Sequence, residues 1–157
     1  MADKCYYDTQ ATGTTSTEIT FFSHTFADGE NVTNLTESYK LDRDFELRRI
    51  ELIPAADITV SDAQKLMEKS VIKLYIDDQP VLELPTPAVL TSCGIDFYTE
   101  PGNSGTEEYV KVSSTLDGYQ LEEPIRIPAG TRFYVKLFID SAFGTDTNIM
   151  IALYGRV

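Results

Sequence analysis

Hydrophobic and polar positions alternate with a period of two along most of the chain. Phe133, Val135, Leu137 and Ile139 fall on one face and Arg132, Tyr134, Lys136 and Phe138 on the other, the pattern of a strand with one buried side. Just before it, Ile125 and Ile127 alternate with Arg126 between Pro124 and Pro128, and Ala129-Gly130 turns the chain. Proline cannot donate to a ladder, so the two prolines bracket a short strand. The last strand, Asn148 to Tyr154, sets Ile149, Ile151 and Leu153 on one face and Met150, Ala152 and Tyr154 on the other. Both of its faces are largely apolar.

Earlier in the chain, the β-prone run Glu-Ile-Thr-Phe-Phe-Ser-His-Thr-Phe from Glu18 ends at the turn pair Asp28-Gly29. Phe45 and Leu47 share one face while Ile50 and Leu52 share the other. The parity slips at Arg48-Arg49 as an inserted bulge residue makes it do, which predicts one bulged strand from Phe45 to Ile53, closed by Pro54. Ile72, Leu74 and Ile76 alternate with Lys73 and Tyr75, and Asp77-Asp78 leads into the mirror run Gln79 to Leu84. That is a hairpin, and Pro80 and Pro85 place its return strand on a sheet edge.

Ala88 to Cys93 reads as a short strand, and Glu100 to Glu107 as an exposed loop. Asp117-Gly118 reads as a hairpin turn joining Tyr109–Ser113 to Tyr119–Leu121. Ser61 with Gln64 forms a capping box, and Ala63, Leu66 and Met67 recur at helical spacing. They predict one short helix near residues 61–70. Residues 1–17 are rich in Thr, Ser, Asp and Gly with only Cys5-Tyr6-Tyr7 as anchor, and read as an extended or flexible N-terminal arm on a domain spanning 18–157. Strands about eight to twelve residues apart with turns between them and one helix specify an all-β sandwich or barrel of antiparallel sheets.

Composition narrows the partners. The 157 residues fit one domain with a real core, and nine Tyr and eight Phe supply it despite a net charge of -12. That charge repels phosphate backbones and anionic lipid, so neither nucleic acid nor a membrane is an expected partner. Met1 to Gln10 carries no secretory signal and no run approaches a membrane span, so a soluble chain made in a cytoplasm is expected. Cys5 and Cys93 form no Cys-x-x-Cys pair and read as two free thiols.

Catalytic signatures are weak. His24 is the only histidine, so a metal site or a Ser-His-Asp triad would rest on it alone, and it reads as a strand histidine beside Thr20, Phe22 and Phe26. A Cys-His dyad with Cys93 is the remaining thiol chemistry. Gly102-Asn103-Ser104-Gly105 falls one residue short of a nucleophile elbow. Asp42 with Asp44, Asp77-Asp78, Glu107-Glu108 and Glu122-Glu123 read as solvated acidic pairs in a chain of 25 Asp and Glu. Loop oxygens at Asp28, Glu30 and Asn31, or at Asp77 and Asp78, suit calcium but match no EF-hand. No enzyme activity, cofactor or metal is expected. A carbohydrate-binding or host-attachment β-sandwich is the alternative, with Tyr98, Tyr109 and Tyr119 as stacking platforms in a chain without Trp.

Three stretches carry a family resemblance: Phe26 to Leu35 followed by Tyr39 to Ile50; Leu66 to Leu84 with its Ser-Val-Ile-Lys-Leu-Tyr-Ile-Asp-Asp hairpin; and Tyr119 to Leu137. The chain resembles the small single jelly-roll capsid decoration, cement or minor capsid proteins of double-stranded DNA bacteriophages. The resemblance implies a single jelly-roll sandwich and a non-enzymatic virion role, with the major capsid protein as partner.

Too much apolar strand surface for one core predicts self-association, as a homotrimer ahead of a pentamer, on the outside of the shell. Tyr6, Tyr7, Arg132, Tyr134, Phe138, Met150 and Tyr154 are the expected oligomer or capsid interface. The acidic loops should splay outward, because copies repel within a Debye length of about 8 Å.

Overall fold

A computed structural model describes residues 2–25, 32–90, 95–102, 105–112 and 118–157, and for 95–102 and 105–112 it describes the backbone. The alternating runs form strands, and their pairing is nested. Strand β1 (Asp3–Ala11) pairs antiparallel with β10 (Asn148–Arg156), and β2 (Glu18–Phe21) with β9 (Phe133–Ile139). Inside these, β3 (Phe45–Pro54) pairs with β8 (Tyr119–Ile127), and β4 (Ser70–Ile76) with β5 (Gln79–Pro85). The four pairs roll into two four-stranded sheets ordered β1-β10-β3-β8 and β2-β9-β4-β5. This is a single jelly roll, with a separate hairpin of β6 (Ile95–Gly102) and β7 (Gly105–Val112) inserted between β5 and β8.

The core lies between the two sheets. Val135 and Leu137 of β9 and Leu74 of β4 face Ile149, Ile151 and Leu153 of β10, all fully buried. The expected bulge is at Arg48: Leu47 pairs with Gly155 and Arg49 with Tyr154, so Arg48 is skipped. Because of that extra residue, Phe45, Leu47, Ile50 and Leu52 all point inward. The β4–β5 turn is Asp77-Asp78, with φ of 53° and 60°. Two left-handed residues in succession make the type I′ turn that matches strand twist. As expected, β5 is an edge.

The N-terminal arm is corrected: Asp3–Ala11 is a full strand of the first sheet. Its inward residues are Tyr6, Asp8 and Gln10, all buried. Strand β2 stops at Phe21 rather than continuing past His24, and Phe22 takes φ of 69°. Asp8 accounts for the stop, because its Oδ2 accepts the Phe22 backbone N–H at 2.7 Å and Gln10 Nε2 at 2.8 Å. His24 sits beyond the strand, its Nδ1 3.0 Å from both Gln10 Nε2 and Ser23 Oγ.

Burial pushes the Asp8 carboxyl up, against the hydrogen bonds of Gln10, Phe22 and Thr33 and the nearby His24. An acid with a raised folded pKa favours folding most when protonated. Its contribution is therefore full below the ordinary value of 3.8 and declines as pH rises through the folded value. Asp8→Asn cannot ionise. The stability of the parent relative to this variant, measured by denaturant midpoints from pH 4 to 8, should fall with rising pH and then level off. A difference that stays flat over that range rejects an ionisation penalty at Asp8.

Other expectations are also corrected. The helix is α1 (Val60–Glu68), capped by Thr59, whose hydroxyl accepts the Asp62 backbone N–H at 3.2 Å, and not by Ser61. Ala88 lies in a second helical turn, α2 (Thr86–Val89), started by prolines, and among the described residues of that run Leu90 makes a strand-like bridge, to Leu52. Glu100–Gly102 and Gly105–Glu107 are the ends of β6 and β7 rather than loop. The expected hairpin of Tyr109–Ser113 with Tyr119–Leu121 is corrected: among the described residues β7 pairs with β6 and β8 with β3. Phe26, the Asp28-Gly29 turn, Cys93, Ser104 and Asp117 lie outside the described residues.

Candidate functional site

The seven residues expected at an interface separate into three places. Tyr6 is corrected to the core: it is 2% exposed, its ring meets Phe45 edge-on at 5.1 Å, and its hydroxyl donates to Asp42 at 2.7 Å. Burial and Asp42 push that phenol up, and the same bond holds Asp42 below the usual carboxylate range. Tyr7, Met150 and Tyr154 lie on the outward face of the first sheet. Arg132, Tyr134 and Phe138 belong to the outward face of the second.

The first outward face is already covered at its centre. Across it, Tyr7, Ala152 and Glu51 share one row and Cys5, Tyr154, Arg49 and Gln120 the next. Ala152 and Glu51 are buried, and Arg49 lies 3.9 Å over the Tyr154 ring and 3.9 Å from Glu51. The greasy outer face of β10 is thus closed off largely within the chain. A cavity of about 420 Å³ opens beside Cys5, Arg48, Arg49 and Tyr154. Burial raises the Cys5 thiol, and burial with Cys5 and Glu51 pushes the Tyr154 phenol up to about 12. Both groups keep their protons near neutral pH, so this cavity lacks the thiolate that nucleophilic chemistry requires.

The second outward face is aromatic, with Tyr134 buried at its centre and Tyr39, Tyr75, Lys136 and Phe138 half-buried around it. Tyr75 of β4 is directly opposite Tyr134 of β9, and the rings stack at 4.9 Å with planes 18° apart. Tyr39 meets Tyr134 edge-on at 6.0 Å. Tyr39 is held there by the chain itself: its N–H donates to Phe22 at 2.9 Å, and its carbonyl accepts the Phe133 N–H at 2.8 Å. Arg132 lies 4.1 Å over the Tyr39 ring. Asp78 Oδ1 accepts from both Arg132 Nε at 3.2 Å and Tyr134 Oη at 3.0 Å, so the type I′ turn carries the acid that fixes both. Burial first and then Asp78 raise the Tyr134 phenol.

One row further along, Lys136 and Lys73 are directly opposite each other, an unfavourable like-charge pair. Each has its own acid: Glu18 for Lys136, and Glu83 at 3.7 Å for Lys73. Glu18 raises the Lys136 ammonium. Beyond them, two residues on, Phe138 and Val71 are paired in the next outward row.

Alternation along β9 marked Arg132, Tyr134 and Phe138 as outward, but Tyr39 and Tyr75 were missed as site residues. Tyr75 was legible, since it alternates with Leu74 on the same hairpin as Lys73. Tyr39 follows no strand pattern, and only its hydrogen bonds place it.

The remaining candidates contribute little chemistry. Asp78 is committed to Arg132 and Tyr134, and among the described residues no group of three His, Cys, Asp or Glu could hold a metal ion. Asp28, Glu30 and Asn31 lie outside the described residues, as does the Cys93 of the dyad with His24. Of the tyrosines considered for sugar stacking, Tyr119 packs half-buried against the core, and nothing is described of the Tyr98 and Tyr109 side chains. No family model, curated protein or solved structure matches the chain.

Proposed function

We propose that this chain is a non-enzymatic virion structural protein, a capsid decoration, cement or minor capsid protein that binds the outer surface of a shell as a symmetric oligomer. The observation that carries the reading is the jelly roll with one sheet face built of half-buried aromatic and cationic side chains around Tyr134. Its tyrosines and Arg132 are held rigid before any partner arrives, and Tyr and Arg are the residues that dominate protein interfaces. The family resemblance of the hairpin and of the Tyr119–Leu137 stretch supplies the virion setting, which fold alone does not. Neither nucleic acid nor membrane enters this reading, because a charge of -12 opposes both. The chain would be assembled onto particles in the host cytoplasm, with the major capsid protein beneath it.

A sugar-binding module would use the same tyrosines differently, with a pyranose against an open ring face. Arg132 occupies the Tyr39 face and Tyr75 covers Tyr134, which favours the protein partner. Mass spectrometry of purified virus particles should find the chain in regular ratio to the major capsid protein. Binding on a glycan array with no particle association would replace this reading with the sugar-binding one.

A further inference from the structure

We propose that two copies of the chain dock through the outward surface of the β2-β9-β4-β5 sheet, about a twofold axis lying across the strands between the Tyr134–Tyr75 row and the Lys136–Lys73 row. The pairing deepens the reading above by naming the partner of that face, and rests on that reading only for its virion setting.

Charge permits the face. The chain has 13 Lys and Arg against 25 Asp and Glu, yet here Arg132, Lys73 and Lys136 are matched by Asp78, Glu83 and Glu18. Two strongly acidic molecules meet with least repulsion through a surface that carries no net charge.

Register selects the symmetry. Along β9 the outward order is Arg132, Tyr134, Lys136, Phe138, and along β4 Tyr75 precedes Lys73 in the same direction across the sheet. A twofold across the strands between the two rows inverts this order. It sets the lysine pair of each copy over the tyrosine pair of the other, and Phe138 over Arg132. Self-complementarity of this kind is what a twofold interface requires. A twofold along the strands would instead set Lys136 over Lys73. The cation–aromatic contacts already exist within one copy, with Lys136 Nζ 5.6 Å from the Tyr134 ring centre and Lys73 Nζ 5.3 Å from that of Phe138. In the pair, Lys73 of the second copy lies at the half-buried Tyr75 and its Arg132 at the half-buried Phe138.

Three of the four sheet edges are poor alternatives. Strand β5 has Pro80, Pro85 and a register shift, and β8 presents Glu122, Glu123 and Pro124 exposed. The outer edge of β1 is taken by Thr9 N–H to Val32 and Asn34 N–H to Tyr7. Prolines, bulges and charge block strand addition at these edges, which leaves the four-residue β2 edge and the sheet faces.

Analytical ultracentrifugation of the pure chain at physiological salt tests the pairing without any particle. A dimer is expected, with Lys73→Glu weakening it about tenfold or more because an anion then faces a ring. Arg126→Glu, an equal change of net charge on exposed β8, should leave it intact. Should Lys73→Glu not fold, Lys73→Met drops the charge alone and should weaken the dimer less. A monomer at about 100 µM, a trimer or pentamer, or equal weakening by Arg126→Glu overturns the pairing. Particle cosedimentation, run separately, judges the virion reading, so either can fail while the other stands.

Discussion

Gly155→Ala is expected to cost about 3 kcal/mol or more and to lower Tm by roughly 6–12 °C. Gly155 lies in β10 opposite Leu47, where β3 bulges at Arg48. A Cβ on Gly155 would run into the backbone carbonyl oxygen of Glu46 and stand 2.9 Å from Phe45 Cζ. The obstacle is backbone on the neighbouring strand of a central pair, so no rotamer change relieves it, and β3 and β10 must separate. Glycine inside a strand marks this sort of close approach. Gly130→Ala is the control: Gly130 has φ of 73° but nothing within 4 Å of its added Cβ. It should lose only the left-handed penalty, about 1–2 kcal/mol. Denaturant unfolding of the two variants compares backbone collision with backbone conformation. Equal losses would mean that the bulge yields.

Asp62→Ala should lose on the order of 3–4 kcal/mol, because it unpairs several buried groups together. Asp62 is 1% exposed, and its carboxylate accepts the backbone N–H of Gly144 at 2.9 Å and of Thr145 at 3.1 Å. Lys65 stands 3.5 Å away and also donates to the Ala142 carbonyl at 2.8 Å. One side chain in the first turn of α1 therefore fastens the loop that carries the chain from β9 to β10. Burial alone would raise this acid, but Gly144, Thr145, Thr59 and Lys65 together hold it below the usual carboxylate range. An acid lowered on folding stabilises fully above its ordinary value of 3.8 and loses that contribution as pH falls through the folded value. Acid unfolding should therefore be less steep in Asp62→Ala. Asp62→Asn keeps one acceptor and should fall between. A loss below about 1 kcal/mol for Asp62→Ala would show that water replaces the carboxylate.

Strands with an apolar inner face were legible in the sequence, and strands with a polar one were not. The Arg48 bulge, the Asp77-Asp78 turn and the inward set of β9 all follow from periodicity. Strand β1 buries Asp8 and Gln10, so its alternation is hidden from a hydrophobic count and its residues resemble a loose arm. The α2 turn was lost because Pro85 reads as the end of an edge strand and Ala88 as the start of the next, while proline also starts helices. The double apolar face of β10 was read correctly, but its cover was sought in another copy. Arg49 and the rest of the chain supply most of it, and only three-dimensional pairing reveals that. The aromatic site draws on Tyr39, β4, β9 and the β4–β5 turn, and no local pattern joins residues so distant along the chain.

Nested pairing also dictates the order in which the chain folds. The β4–β5 hairpin closes over two turn residues, whereas β1 must wait for β10 at the opposite end of the described chain. Closure entropy rises with the length enclosed, so the ladder should zip outward from the hairpin, through β3 with β8 and β2 with β9, to the outermost pair. Proteins dominated by such distant contacts fold in milliseconds to seconds. On a ribosome adding about 5–20 residues per second, β1 emerges first and stays unpaired for on the order of 10–30 s. Its outward residues are Asp3, Cys5, Tyr7 and Thr9, and its inward ones include Asp8 and Gln10; these polar groups on both faces keep the waiting strand soluble until its partner is made.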